Sequence, residues 1–171
     1  MTGHVFLTGE KRVGKSTLLK KVLAGCSGSI GGFFTVRTNA FLEGRYSVHL
    51  FAPGEETKPD EGNLLFVCGE PNGNSTESFE RLGCRALESV RGSSLIVMDE
   101  LGPHEAEAVR FRRAVLELLD GDTPILGVLQ SPAGTFWPEI AGHPGVELVE
   151  ITKSNRNEEK ILRHILNTLG G

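Results

Sequence analysis

The chain has 171 residues, 39% apolar and 23% charged, with a net charge of −4. That is enough for one domain with a sizeable core, and it is the balance of an ordinary soluble globular protein. A negative net charge offers no basic field for a polyanion, so nucleic acid is not expected as a partner. No apolar run is long enough to span a bilayer, and no membrane contact is expected.

The start lacks the basic, apolar, small-residue layout of a secretory leader, so a cytoplasmic location is expected. Cys26, Cys68 and Cys84 are odd in number and without C-x-x-C spacing. They read as reduced thiols in a reducing compartment, not as a disulfide framework or a zinc site. His4, His49, His104, His143 and His164 are scattered without metal-ligand spacing.

Val5-Phe6-Leu7 predicts a first strand. Leu18, Leu19, Val22 and Leu23 recur at helical spacing within residues 14–24, with Gly25 as a stop. Residues 33–37 predict a second strand. Residues 46–51 and 64–68 predict antiparallel strands joined by polar turns at Pro53, Gly54, Pro59 and Gly62. Residues 71–75 read as a loop. Asn74 and Glu77 form a start signal for a helix with Phe79, Leu82, Ala86, Leu87 and Val90 on one face. Residues 95–98 are a continuous apolar strand ending in Asp99-Glu100. Residues 105–119 predict one helix, aligned on Ala108, Phe111, Val115 and Leu118. A strand at 125–129, a Pro- and Gly-rich loop at 131–144, a strand at 146–151 and a last helix carrying Ile161, Leu162, Ile165, Leu166 and Leu169 complete the pattern.

Continuous apolar strands alternating with helices predict an α/β three-layer sandwich with a mostly parallel central sheet. A small antiparallel β insertion is expected near residues 40–70, within a single domain over 1–171.

Gly9-Glu10-Lys11-Arg12-Val13-Gly14-Lys15-Ser16 fits G-x-x-x-x-G-K-[ST] at every position, between a strand and a helix. Glycines let the chain wrap so that backbone N–H groups point at phosphate oxygens, and the helix start adds its positive end. Lys15 reaches the terminal phosphates, Ser16 offers its hydroxyl to Mg²⁺, and Thr17 adds a contact to an inner phosphate. Lys11 and Arg12 raise the local positive potential or are simply solvated.

In open α/β sheets ligands sit at the carboxyl ends of strands. Asp99 is therefore placed to hold Mg²⁺ with Ser16, and Glu100 to orient and deprotonate a water. Capping of the next helix is the alternative use of this acid pair.

The cradle, "GGFFTVRTN", "ESFERLGCRAL", "IVMDELG", "ILGVLQ" and "EITKSNRNEEKIL" together make the chain similar to the THEP1-type nucleoside-triphosphatases, small RecA-like P-loop proteins. The resemblance runs from about Val5 to the final helix. It implies Mg²⁺-dependent hydrolysis of nucleoside 5′-triphosphates with loose base choice and slow turnover. It also implies Gly9 to Ser16 as the phosphate loop and Met98 to Glu105, including Leu101 and Gly102, as a second nucleotide-side segment. The chain departs from the family at Pro103-His104, where members often carry a basic residue, and over residues 40–73.

Arg37 either offsets transition-state charge or is a surface arginine. Arg156 is a candidate for the base or the γ-phosphate. Asn155 either joins it or caps the last helix. Gln130 stands at a strand end, where it can sense the γ-phosphate. Phe136 and Trp137 are read as packing their loop onto the body rather than stacking on a base.

Three functions fit these residues: a hydrolase, a P-loop phosphotransferase acting on a nucleoside, nucleotide or other small molecule, and a nucleotide-dependent switch or assembly factor. The 131–144 loop has no Arg or Lys for a kinase-type lid, which favours hydrolysis. A monomer is favoured, with a nucleoside triphosphate as the partner.

Overall fold

The structure is a computed structural model, and it describes residues 3–70 and 75–170. Seven strands form one sheet: β1 (His4–Thr8), β2 (Ile30–Leu42), β3 (Arg45–Phe51), β4 (Leu64–Val67), β5 (Leu95–Leu101), β6 (Ile125–Leu129) and β7 (Val146–Glu150). Their order is β4-β3-β2-β5-β6-β1-β7. From β2 to β7 the sheet is parallel; β3 and β4 add antiparallel pairings at one edge.

Period-2 alternation divides the strand residues between two cores. Val5, Leu7, Leu95 and Val97 pack on one face with Leu18, Leu19 and Val22 of α1 (Lys15–Ala24) and Ile165 of α7 (Glu159–Thr168). Phe6, Ile96 and Met98 point to the other face. There they meet α3 (Cys84–Glu88), α5 (Val109–Leu119) and the short α6 (Pro138–Ala141). Phe111 is the hub of this second core. Its ring lies edge-on to Phe33 (5.7 Å) and Trp137 (6.3 Å) and tilted against Phe79 (6.2 Å). Aromatic pairs in such arrangements add about 0.5–1.5 kcal/mol each beyond area burial.

The expected three-layer α/β architecture is present. The five residues Phe79, Leu82, Ala86, Leu87 and Val90 are all buried, as their spacing requires. Their helix is not regular, however. It opens with α2 (Ser75–Ser78), passes through a π-helical turn at Phe79–Gly83 and continues as α3. The start signal at Asn74, and most of the loop read at residues 71–75, lie outside the described residues.

The helix expected over 105–119 is two helices, α4 (Pro103–Ala106) and α5. The break has a physical cause in the π-helical turn. The Glu80 carboxylate accepts the backbone N–H groups of Arg110 (2.7 Å) and Phe111 (3.2 Å), satisfying donors that a new helix start leaves open.

The second strand is also longer than its apolar run. β2 has 13 residues and pairs with β5 only as far as Phe34↔Asp99. It then continues to Leu42, now paired with β3. These eight further residues extend about 26 Å. The antiparallel region therefore begins at Phe34 and is an outgrowth of the main sheet. Gly32 makes the β2–β5 approach possible: it has φ +103°, and a Cβ there would overlap the Val97 backbone carbonyl. Among the described residues, no helix is long and apolar enough to cross a membrane.

Candidate active site

The P-loop connects β1 to α1 at the carboxyl edge of the parallel sheet. Gly9 has φ +143°, and any Cβ there would collide with the Ile151 carbonyl oxygen at the end of β7. The first glycine is thus required by both conformation and space. Arg12 takes the left-handed conformation at φ 62°. Val13 is buried and ties the loop to the core between β1 and α1. No acidic residue occupies the first turn of α1, so its positive end is left unneutralised for an anion.

Lys15 is only 8% exposed. Its ammonium donates to the carbonyls of Gly9 (2.6 Å) and Glu10 (3.1 Å). Burial lowers its pKa, against the opposing fields of Glu100 and Asp99. The charge is therefore poorly solvated and held at the mouth of the cradle.

Two strands away, β5 ends at the acids. Asp99 is 9% exposed, and burial, reinforced by the charge of Glu100, pushes its pKa up to about 7. Lys20 and Lys15 oppose this without cancelling it. Burial also raises Glu100, with Lys15 and Lys11 opposing. In both acids the loss of solvation outweighs the neighbouring cations.

Glu105 is a third buried acid. Its carboxylate accepts the Gly102 N–H at 2.9 Å, and burial pushes its pKa up to about 7. The Gly102 carbonyl accepts from Trp137 Nε1 at 3.0 Å. Gly102, and with it the tip of β5, is thus gripped from both sides. Helix capping does fall to an acid here, but to Glu105 rather than to the pair at Asp99-Glu100.

The cradle and the acids line one cleft of about 1130 Å³. Glu10, Lys11, Arg12, Gly14, Lys15, Ser16 and Thr17 enter it from one side, and Asp99, Glu100, Gly102 and Gln130 from the other. Arg37 also borders it. Arg37 does not end its strand but lies in the antiparallel half of β2, exposed, with its guanidinium 4.1 Å from the Tyr46 ring centroid.

Other sequence candidates are placed elsewhere. Met98 and Leu101 are fully buried and carry the tip of β5 from beneath. Asn155 does not line the cleft, and the N-cap of α7 falls at Glu158. Its side chain accepts the Thr152 N–H (2.8 Å) and donates to the Glu150 carbonyl (2.8 Å), stapling the turn after β7. Arg156 donates to the Val13 carbonyl at 3.2 Å, packs against Gly14 and does not itself line the cleft. The Thr-x-x-Asn-Arg segment is therefore a brace for the P-loop.

The 131–144 loop is fastened down. Arg112 of α5 donates to the carbonyls of Ala106 (2.9 Å) and Phe136 (3.1 Å), pairs with Glu139 and stacks over Trp137. Trp137 is buried, in accord with its reading as a packing residue, whereas Phe136, read the same way, is exposed.

Ser16 and Asp99 supply a hydroxyl and a carboxylate to the same cleft. Hard oxygen donors of this kind, few in number, fit Mg²⁺, which completes its shell with phosphate oxygens and water. Among the described residues, no group of three or more His, Cys, Asp or Glu forms a protein-only metal cage.

A family model described as NTPase matches residues 4–166. The chain belongs to this nucleoside-triphosphatase family, of the THEP1 type. It is 33% identical to the nucleoside-triphosphatase THEP1 of Methanosarcina acetivorans, over 98% of this chain and 99% of that protein. It is 32% identical to the human cancer-related nucleoside-triphosphatase, over 92% of each. The crystal structure of THEP1 from Aquifex aeolicus superposes with a TM-score of 0.75 at 24% identity, over 98% of this chain and 99% of that one, which shows a shared fold. The solution structure of the human cancer-related nucleoside triphosphatase gives 0.65 at 26% identity, over 97% and 96%. Two motifs of the THEP1-type resemblance have structural causes in this chain. Gly32 of "GGFFT" permits the β2–β5 approach, and Asn155-Arg156 braces the cradle.

Sequence reading missed Phe66 and His104, which stack with ring centroids 4.4 Å apart and both border the cleft. Neither carries a motif. The pairing exists only once β4 and α4 are brought together.

Proposed function

We propose that this nucleoside-triphosphatase cleaves ATP, GTP and other nucleoside triphosphates to the diphosphate and phosphate, using a water oriented by Glu100. What supports this reading is that the complete phosphate cradle and the two acids at the tip of β5 line one cleft.

Backbone N–H groups of the cradle and the start of α1 hold the phosphates. Lys15 neutralises charge that develops on the outer oxygens. Ser16 and Asp99 would hold Mg²⁺, which would supply Lewis-acid stabilisation of charge developing on the phosphates. Glu100 accepts the proton of the attacking water, a role that suits a carboxylate raised by burial. Arg37 adds positive charge from the rim. Arg156 keeps the cradle in shape through Val13, and Asn155 secures the turn that carries Arg156. The same reading takes residues 1–171 as one domain and the protein as a cytoplasmic monomer, which its three free, half-buried thiols suit.

The test is Glu100→Gln. Nucleotide binding, followed by a fluorescent analogue, is retained, and phosphate release falls by about 10²–10⁴-fold. Full turnover in this variant would remove Glu100 from the mechanism.

A further inference from the structure

The cleft reaches past the phosphate cradle and the acids to residues of β2, β3 and β4. Its two ends also differ. The sheet order places β1 and its P-loop on one side of β5, and β2, β3 and β4 on the other. Glu100 stands between them. The γ-phosphate, which the attacking water must reach, therefore points toward the β2–β4 side.

On that side the overshooting half of β2 and its partners build a wall. Thr35 and Arg37 of β2, Val48 of β3 and Phe66 of β4 border the cleft, with His104 of α4 stacked on Phe66. A water molecule needs none of this. An aromatic pair, an aliphatic side chain and a guanidinium suit a flat heterocycle with polar edges.

We propose that this outer compartment binds a nucleoside, whose 5′-hydroxyl replaces water as acceptor of the γ-phosphoryl group. The inference rests on the hydrolytic reading of the same site. The nucleoside oxygen bonds to the γ-phosphorus. The bond from that phosphorus to the β,γ-bridging oxygen breaks, its electron pair leaving with the diphosphate. The hydroxyl proton passes to Glu100. The 131–144 loop is pinned by Arg112 and supplies no Arg or Lys, so the charge of the transferred group falls to cations elsewhere in the cleft. Lys11, Arg12, Lys15 and Arg37 already border the cleft.

The test incubates the full chain with ATP, Mg²⁺ and, in turn, adenosine, guanosine, cytidine, uridine and thymidine. Nucleoside monophosphate and free phosphate are separated and quantified. We expect monophosphate from at least one nucleoside, saturable in that nucleoside. In His104→Ala, and separately in Phe66→Leu, the ratio of monophosphate to phosphate falls, by about tenfold where a stacking surface is lost. Phosphate release with no monophosphate from any nucleoside overturns the proposal and leaves the hydrolytic reading standing. An unchanged ratio in both variants also overturns it. Absence of both products removes the hydrolytic reading, and this proposal with it.

Discussion

Asp99→Asn tests the electrostatics of the site directly. Asp99 is almost wholly buried, and its carboxyl is pushed from the usual 3.8 to about 7. Below 3.8 the group is protonated in the folded and unfolded chain alike, and above about 7 it is ionised in both. In between, folding takes up a proton, so stability falls as pH rises through that window. At about 1.36 kcal/mol per pH unit the full cost is ~4 kcal/mol. Asparagine carries no charge and removes that cost. In chemical denaturation without nucleotide or Mg²⁺, the variant should be the more stable protein at pH 8, by up to ~4 kcal/mol, with the gap narrowing by pH 5. Glu105 contributes its own slope to both proteins and cancels in the difference. The same substitution should abolish the stabilisation that Mg²⁺-nucleotide gives the wild type. Parallel stability–pH curves for the two proteins would show that Asp99 is not the strained acid of the site.

Lys15→Ala should eliminate phosphate release and weaken nucleotide binding, measured by titration with a fluorescent analogue, because the cradle loses its one buried ammonium. Gly9→Ala places a methyl against the Ile151 carbonyl at a positive φ. Thermal denaturation should show a loss above ~1 kcal/mol, and nucleotide binding should be lost with it. Phe111→Ala removes the ring shared by Phe33, Phe79 and Trp137, and should cost about 3–5 kcal/mol in urea unfolding.

What could be read from the sequence was what is local. The phosphate loop is eight consecutive residues whose spacing has a mechanical reason, and Asp99-Glu100 closes an unbroken apolar run. The buried face from Phe79 to Val90 declared itself through periodicity alone. What could not be read depends on contacts between distant segments. The split between α4 and α5 is set by Glu80, about 30 residues earlier in the chain. The length of β2 is set by its partners: beyond Phe34 the strand mixes polar and apolar residues, none of them fully buried, and pairs with β3. The contact that Arg156 makes with the P-loop was not legible either. The carbonyl it serves is Val13's, 143 residues away.

The long β2 strand also ties the two parts of the cleft together. A single run of backbone starts beneath Asp99 and ends at the outermost rim, with no hinge where catalytic floor becomes outer wall. Its pairing with β3 is regular from Phe34 to Thr38 and slips only between Thr38 and Leu42. Floor and outer wall therefore share one strand, and the slip in its pairing with β3 lies toward the far tip of the ribbon, away from Phe34 and Asp99.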